Sequence, residues 1–248
     1  MISVWTILSF FTMLVGYNLM SYMLQYMYYW RSRENPLRWK IQQKKTDMIS
    51  DHASNCWIPL LDLKPNRAKF HKEFASINIL IASLFAAIVS ETTVAGMNRM
   101  TVENLVTYGI LNYFLDCVLL ITYESLAEYY WHRLMHIKFF FKIFHKYHHY
   151  YRSPEPFDDL YIHPVEATGY YCILFGPPFL FACHLYSFLT YMCIMGVLGI
   201  LDHSGIRISI PFLYSTVDHD LHHSQVNVNY GFPFPIMDYL HQTYASQQ

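Results

Sequence analysis

Histidine dominates the chemistry available to this chain: 14 of its 248 residues are histidine, and most of them follow residue 131. Three groups stand out: His132-Arg-Leu-Met-His136, an HxxxH; His145-Lys-Tyr-His148-His149, an HxxHH; and His219-Asp-Leu-His222-His223, a second HxxHH. His163, followed by Pro-Val-Glu, and His203, followed by Ser-Gly, lie between them. Residues at i, i+3 and i+4 share one face of a helix. An HxxxH therefore presents two imidazoles together, and an HxxHH adds a neighbour turned towards a second metal or another ligand. One zinc ion takes only three or four protein ligands. His132, His136, His145, His148, His149, His163, His203, His219, His222 and His223 are the candidate ligands, enough for two metals in nitrogen-rich shells. Imidazole suits zinc, copper, iron and nickel alike, so ligand type does not select the metal.

The acidic residues offer supporting parts. Glu124 and Glu128 precede His132 and His136 at four-residue steps. One helical stripe would let them accept hydrogen bonds from ligand N–H groups, as acids around metal sites do. The alternative is a helix-end charge for Glu124 and a solvated interfacial charge for Glu128. Asp202 and Asp220, each beside a histidine, have the same two readings. Of the remaining histidines, His184 reads as hydrogen-bonded between helices, His241 as packing near the C-terminus, and His52 and His71 as surface residues.

Long apolar tracts must position these groups. The composition is 54% hydrophobic and 14% charged, a charge content well below that of soluble domains. A membrane-crossing helix needs about 20 mainly apolar residues. Residues 2–29, 74–97 and 105–126 qualify, and 169–201 is broken by Gly176-Pro177-Pro178 into a short arm and a longer returning helix. The first tract is too long for a signal-peptide core and reads as an anchor, with Tyr22, Tyr26, Tyr28, Tyr29 and Trp30 as an interfacial belt. Ten of the 17 Lys and Arg lie within 31–72, six follow residue 132, and Arg99 stands alone between spans two and three. The positive-inside rule puts 31–72 and everything from about 131 onward in the cytosol, the returning tract excepted. The expected fold is all-α: a multispanning membrane helical bundle with a cytosolic histidine-rich helical cap. Its parts are an N-terminal anchor and linker (1–73), membrane spans (74–116) and a catalytic region (117–248). Five cysteines without a CxxC pair argue against a disulfide framework and a cysteine zinc site. A net charge of −1 gives no reason to expect nucleic acid.

Over about residues 117–244 the chain resembles the fatty acid hydroxylase superfamily of membrane di-iron enzymes. The resemblance rests on Trp131-His132-Arg133 with His136, Phe144 to His149, Tyr161-Ile162-His163-Pro164-Val165-Glu166, Asp202 to Gly205, and His219 to His223. Leu37 to Gln42, Gly176-Pro177 and Asp238 to His241 look most like the C-4 methylsterol oxidase and domain-containing branch. The resemblance implies two iron ions held by the ten histidines, O2 as co-substrate and no catalytic side chain beyond the ligands. It implies an endoplasmic reticulum enzyme with a cytosolic site that draws lipid from the bilayer. Electrons would come from NAD(P)H through an external donor such as cytochrome b5 and its reductase, since no His-Pro-Gly-Gly marks a fused heme domain. Sterol C-4 methyl oxidation is the favoured outcome, with hydroxylation or desaturation of a fatty acyl or sphingoid lipid next. A catalytically inactive metal-binding scaffold would lack a motif histidine. A metal transporter would need polar residues along spans one and two, which offer almost none.

Overall fold

The computed structural model describes residues 2–32, 35, 38–42 and 70–246. His52, Cys56, Leu37 and most of the basic linker lie outside the described residues. Four long helices carry the architecture: α1 (Val4–Leu24, continued as a π-turn over Gln25–Arg31), α2 (His71–Val94), α3 (Ile110–Met135) and, after the short α4 (Pro164–Leu174), α5 (Leu185–Asp202). Each of the four, with α1 taken together with its π-turn and α2 counted from Glu73, is long and apolar enough to cross a membrane. Trp5, Leu8, Phe11, Val15 and Leu19 on α1 are exposed, as are Phe114, Leu115 and Val118 on α3. Such outward apolar faces suit hydrocarbon rather than water.

Local sequence sets the breaks. Gly96, at φ 66°, follows the end of α2 in the left-handed region that favours glycine. Gly109, at φ 91°, separates the single turn Leu105–Tyr108 from α3. The third span therefore starts later than the apolar tract suggests. It also runs further, to Met135, because no glycine or proline interrupts residues 127–135, and so it carries His132 within the helix. The broken fourth tract behaves as its prolines require. With 11 residues, α4 reaches about 16 Å, far short of a bilayer core. The chain then turns through Gly176 and the one-turn helix Pro177–Leu180 before α5 returns. One departure from a purely helical fold is a two-residue parallel pairing of Met100–Thr101 with Cys183–His184.

Among the described residues two larger cores hold the bundle, and a smaller one joins Tyr129 to Tyr230 and Met237. Leu120, Ala167, Tyr171, Phe188, Tyr191 and Met195 join α3, α4 and α5. Tyr17, Leu24, Tyr29, Ala75, Ile79 and Ile200 join α1, α2 and α5. At one end, Ser3 N and Thr6 Oγ1 both donate to Glu91, tying the start of α1 to the end of α2. Tyr108 Oη and the His184 amide both donate to Asp116 Oδ2 at 2.8 Å, and His184 Nε2 faces the Glu103 carbonyl, the inter-helix role expected of His184. At the opposite end, Tyr29 Oη donates to the Ser204 carbonyl at 2.6 Å, and Asn78 Nδ2 donates to the carbonyls of Leu160 and Ile162. That end also carries the C-terminal turns of α3 and α5 and, packed across it, α6 (Thr216–Gln225) and α7 (Ile236–His241). A capping box between Ser215 and Asp218 starts α6. Against expectation, His71 is buried, stacked near Tyr161 and paired with Tyr151 Oη at 3.2 Å, because its helix begins beneath the 147–161 loop. Cys117, Cys172, Cys183 and Cys193 are free thiols.

Candidate metal centres

The histidine motifs converge at that second end, and they do so as two groups. His132, His136, His145, His149 and His222 form one; His148, His203, His219 and His223 form the other. Within each group, one ring nitrogen from every member lies within 4.8 Å of all the others. In the first, Nε2 of His136 is 2.9 Å from Nε2 of His145 and 3.3 Å from that of His149, and His222 Nε2 is 3.1 Å from His149 Nε2. In the second, His203 Nε2 is 3.3 Å from His148 Nε2 and 2.9 Å from His219 Nε2, with His223 3.2 Å from His219.

The two HxxHH segments each contribute to both groups by a simple alternation. On α6, His219 and His223 are four apart and share a face, while His222 turns to the other group. The first HxxHH does the reverse: His145 and His149 enter one group and His148 the other. This segment is not the α-helix its spacing suggests. It is a π-turn over Phe141–His145 followed by a 3-10 turn over His148–Tyr150. The i, i+4 pairing survives because His145 and His149 still stack back on one side of the turn. His132 and His136 come from the end of α3, and His203 caps α5.

Several of the rings are oriented from behind. His145 Nδ1 meets Glu166 Oε1 at 2.5 Å. His203 Nδ1 meets Asp159 Oδ1 and the Gly199 carbonyl, both at 3.0 Å. His132 Nδ1 faces the Tyr230 carbonyl at 3.1 Å, and His222 Nδ1 the Val228 carbonyl at 2.6 Å. Acceptors at Nδ1 fix that nitrogen as the N–H and leave Nε2 as a lone pair aimed inward. Glu166 and Asp159 thus hold the role that helical spacing offers to Glu124 and Glu128. The signal for Glu166 lay in His163-Pro-Val-Glu, where Pro164 starts α4 and so places Glu166 in its first turn. Asp159 comes from a loop and had no sequence signal. Glu124 instead accepts from Tyr191 Oη at 2.5 Å, and Asp220 accepts from Gln42 Nε2. His163 joins neither group: its Nδ1 accepts from the Val165 amide at 3.2 Å as the N-cap of α4, and its ring packs between Phe144 and Tyr147. His241 also stands apart, facing Tyr129 and the Met237 carbonyl.

These residues fit a pair of metal ions. Lone pairs crowded at 2.9–3.3 Å repel one another unless a cation lies between them. Nitrogens bound to one ion at about 2.1 Å sit about 3.0–3.4 Å apart for bond angles between square and tetrahedral, the spacing seen here. His132 Nε2 is buried without any hydrogen-bond partner, another lone pair left for an ion. Electrostatics agree. Burial and the neighbouring imidazoles hold His136, His145, His148, His219, His222 and His223 well below the usual histidine range, and His149 at about 2, so all are neutral donors. Burial pushes Glu166 up to about 8. For His203 burial pulls down, but the Asp159 carboxylate, the Gly199 carbonyl and the Asp202 carboxylate together outweigh it and the net shift is upward.

A cavity of about 130 Å³ runs from these rings into the bundle. His132, His145, His148, His203 and His219 line its inner end. Met13 and Tyr17 of α1, Tyr170 and Leu174 of α4, and Met195 and Ile200 of α5 also line it, together with the acids Glu128, Asp159, Glu166 and Asp202. Gly169 lets Trp131 close one wall: a Cβ there would meet the indole ring at 2.2 Å.

Comparison with known proteins places this arrangement. The family model for fatty acid hydroxylase matches residues 117–243, which include both histidine groups and the two acids behind them. The human fatty acid hydroxylase domain-containing protein 2 is 32% identical over 133 residues, 53% of this chain and 39% of its own length. A Delta(7)-sterol 5(6)-desaturase of Gibberella zeae is 32% identical over 143 residues, covering 54% of this chain and 43% of its own. Human lathosterol oxidase is 26% identical over 135 residues, 53% of this chain and 45% of its own. The matched segment thus spans less than half of each of these relatives. No solved structure matches the chain significantly. With membrane-length helices, two converging histidine groups and a family match over half its length, the chain belongs to the fatty acid hydroxylase family.

Proposed function

We propose that the chain is an O2-dependent two-iron enzyme of the endoplasmic reticulum membrane that oxidises an unactivated C–H bond of a sterol at the cytosolic face. The observation that carries this reading is the meeting of two neutral, inward-aimed histidine groups with the inner end of an apolar cavity among membrane-length helices. His132, His136, His145, His149 and His222 would hold one iron, and His148, His203, His219 and His223 the other. Bound iron would supply O2 activation and removal of hydrogen from carbon, the hard chemistry that a cofactor carries. The chain's own residues hold and orient. Glu166, Asp159 and the carbonyls of Tyr230, Val228 and Gly199 keep the rings in one tautomer. Trp131, Tyr171 and Met195 exclude water and confine a lipid so that one C–H bond faces the histidines. No side chain is required as a nucleophile.

The sterol assignment is supported by the sterol desaturase and lathosterol oxidase among the relatives. Oxidation of a C-4 methyl group is the outcome the sequence motifs favour. Removal of two adjacent hydrogens is the second reading, favoured by the named desaturase. Electrons would come from NAD(P)H through cytochrome b5 and its reductase or a similar donor, and the basic residues of the linker and of 138–146 fit the cytosolic side that such a donor occupies. The test joins two measurements: metal analysis of purified protein, and sterol and sphingolipid profiles of cells with and without the gene. About two irons per chain and accumulation of a 4-methyl sterol, or of a saturated precursor, would support the assignment. Iron-free protein with unchanged lipids would overturn it.

A further inference from the structure

Two glycines inside a long helix call for an explanation. Gly196 and Gly199 both lie within α5. Glycine weakens a helix relative to alanine, so it persists there when something needs the missing side chain. One common reason is a neighbour that leaves no room, as Trp131 leaves none at Gly169. That reason fails here: a Cβ added at either position would meet no atom within 4 Å beyond its own stretch of helix. Both glycines line the cavity that His148, His203 and His219 also line. Gly196 is exposed as well, so it stands where that cavity meets the outer surface of the bundle. Leu189 and Cys193, on the same stripe of α5, are exposed too, and the mouth therefore opens towards hydrocarbon. Deeper in the same wall, Glu166 Oε2 is buried and has no hydrogen-bond partner, in a residue only 6% exposed. Buried polar atoms are rarely left so, which points to an occupant of the space.

Positions i and i+3 share one helix face, so the two glycines leave a strip of bare backbone about 4.5 Å long on α5. Met13 and Tyr17 of α1 line the same cavity, and Tyr17 shares a core with Ile200, which sets the strip beside the seam between α1 and α5. A flexible chain bends around a projecting side chain. A rigid fused-ring system cannot, and it alone gives a reason for two bare positions on one face. Resting on the sterol reading above, we infer that Gly196 and Gly199 are specificity-determining residues: the strip they leave is a slot that takes the flat face of a fused-ring lipid entering from the bilayer between α1 and α5. The slot's inner end is tied to the chemistry, because the Gly199 carbonyl accepts from His203 Nδ1 at 3.0 Å. How far the rings slide along the strip sets which carbons reach the four-membered histidine group.

The experiment measures binding of cholestanol and of hexadecanol to the purified, iron-loaded chain in phosphatidylcholine nanodiscs. Added bulk should act in order of size. Gly199→Ala should weaken cholestanol binding severalfold, and Gly196→Leu and Gly199→Leu by about tenfold or more, the scale of overpacking an occupied site. Hexadecanol binding should change little in all three variants, because the chain can bend past the new side chain. Iron content should stay constant and the thermal unfolding midpoint should hold or rise, since the new Cβ meets nothing and the helix gains a better former. These two readings separate lost binding from lost folding. No cholestanol binding by the native protein, or binding that withstands both leucine variants, overturns the slot. Equal loss of cholestanol and hexadecanol overturns its fit to a ring system. Ring-selective loss in a protein that oxidises no lipid would keep the slot and remove the oxidase reading instead.

Discussion

The two histidine groups are built from the same motifs yet supported differently. The five-membered group is held from behind by Glu166 and two backbone carbonyls, and two of its rings, His132 and His136, are only half-buried. The four-membered group is buried throughout and leans on Asp159 and the Gly199 carbonyl through a single ring, His203. In the first, support is spread over several rings; in the second it is concentrated. The contrast teaches that equal motifs need not give equal sites, since the positioning groups come from the surrounding fold.

The sharpest way to break the comparison uses adjacent residues. His148→Ala and His149→Ala should each remove about one of two metal ions, from different groups, and cut turnover below a hundredth; metal analysis with a selective spectroscopic probe of each site would tell them apart. If both variants lose the same ion, the partition of ligands is wrong. Next in size is the support. Asp159→Asn should weaken metal binding about 10–100-fold at the four-membered group. Glu166→Gln should do less at its own group, because carbonyls still orient His132 and His222. Competition with a graded series of chelators measures both.

Acidification should act on the metal-free protein. His136, His145, His148, His149, His219, His222 and His223 have folded-state values held below the unfolded value of about 6.5. Their contribution to stability is therefore present above about pH 6.5 and lost as the pH falls below it. His203, raised by Asp159, runs the other way, and so does Glu166, whose burial costs stability once the pH exceeds its unfolded range. The depressed group prevails, so the unfolding midpoint of chelator-treated protein should drop between pH 7 and 5; a flat profile would mean the rings are solvated. Packing should give a smaller effect: Gly169→Ala forces a methyl group into the Trp131 ring and should cost about 1–3 kcal/mol in thermal unfolding. Smallest is His163→Ala, which should cost about 0.5–2 kcal/mol as a lost helix cap and leave both ions in place. Loss of an ion would restore His163 to the ligand set.

What sequence disclosed here followed from local periodicity. The HxxxH and HxxHH spacings brought His132 with His136, His145 with His149, and His219 with His223, because four-residue steps share a side in α-, and here even in π- and 3-10, turns. The membrane helices and the break at Gly176-Pro177-Pro178 were legible for the same reason. Tertiary relations were not. Asp159 reaches His203 from a distant loop, and nothing in its neighbours announces that. His163 is the reverse case: a histidine before proline looks like a ligand in a histidine-rich chain, while the structure sets it at the first turn of α4, where it caps the helix. Span three was placed too early because apolar content marks where a helix meets lipid, not where its hydrogen bonds stop.

The alternation of neighbours has a mechanical consequence. His148 and His149 serve different groups, and so do His222 and His223. Consecutive Cα atoms are held at about 3.8 Å by covalent bonds, so the two centres are riveted to each other twice through the peptide chain itself. Swelling or tilting of the bundle can loosen the walls around them, yet it cannot draw the centres apart without tearing ligands from both at once.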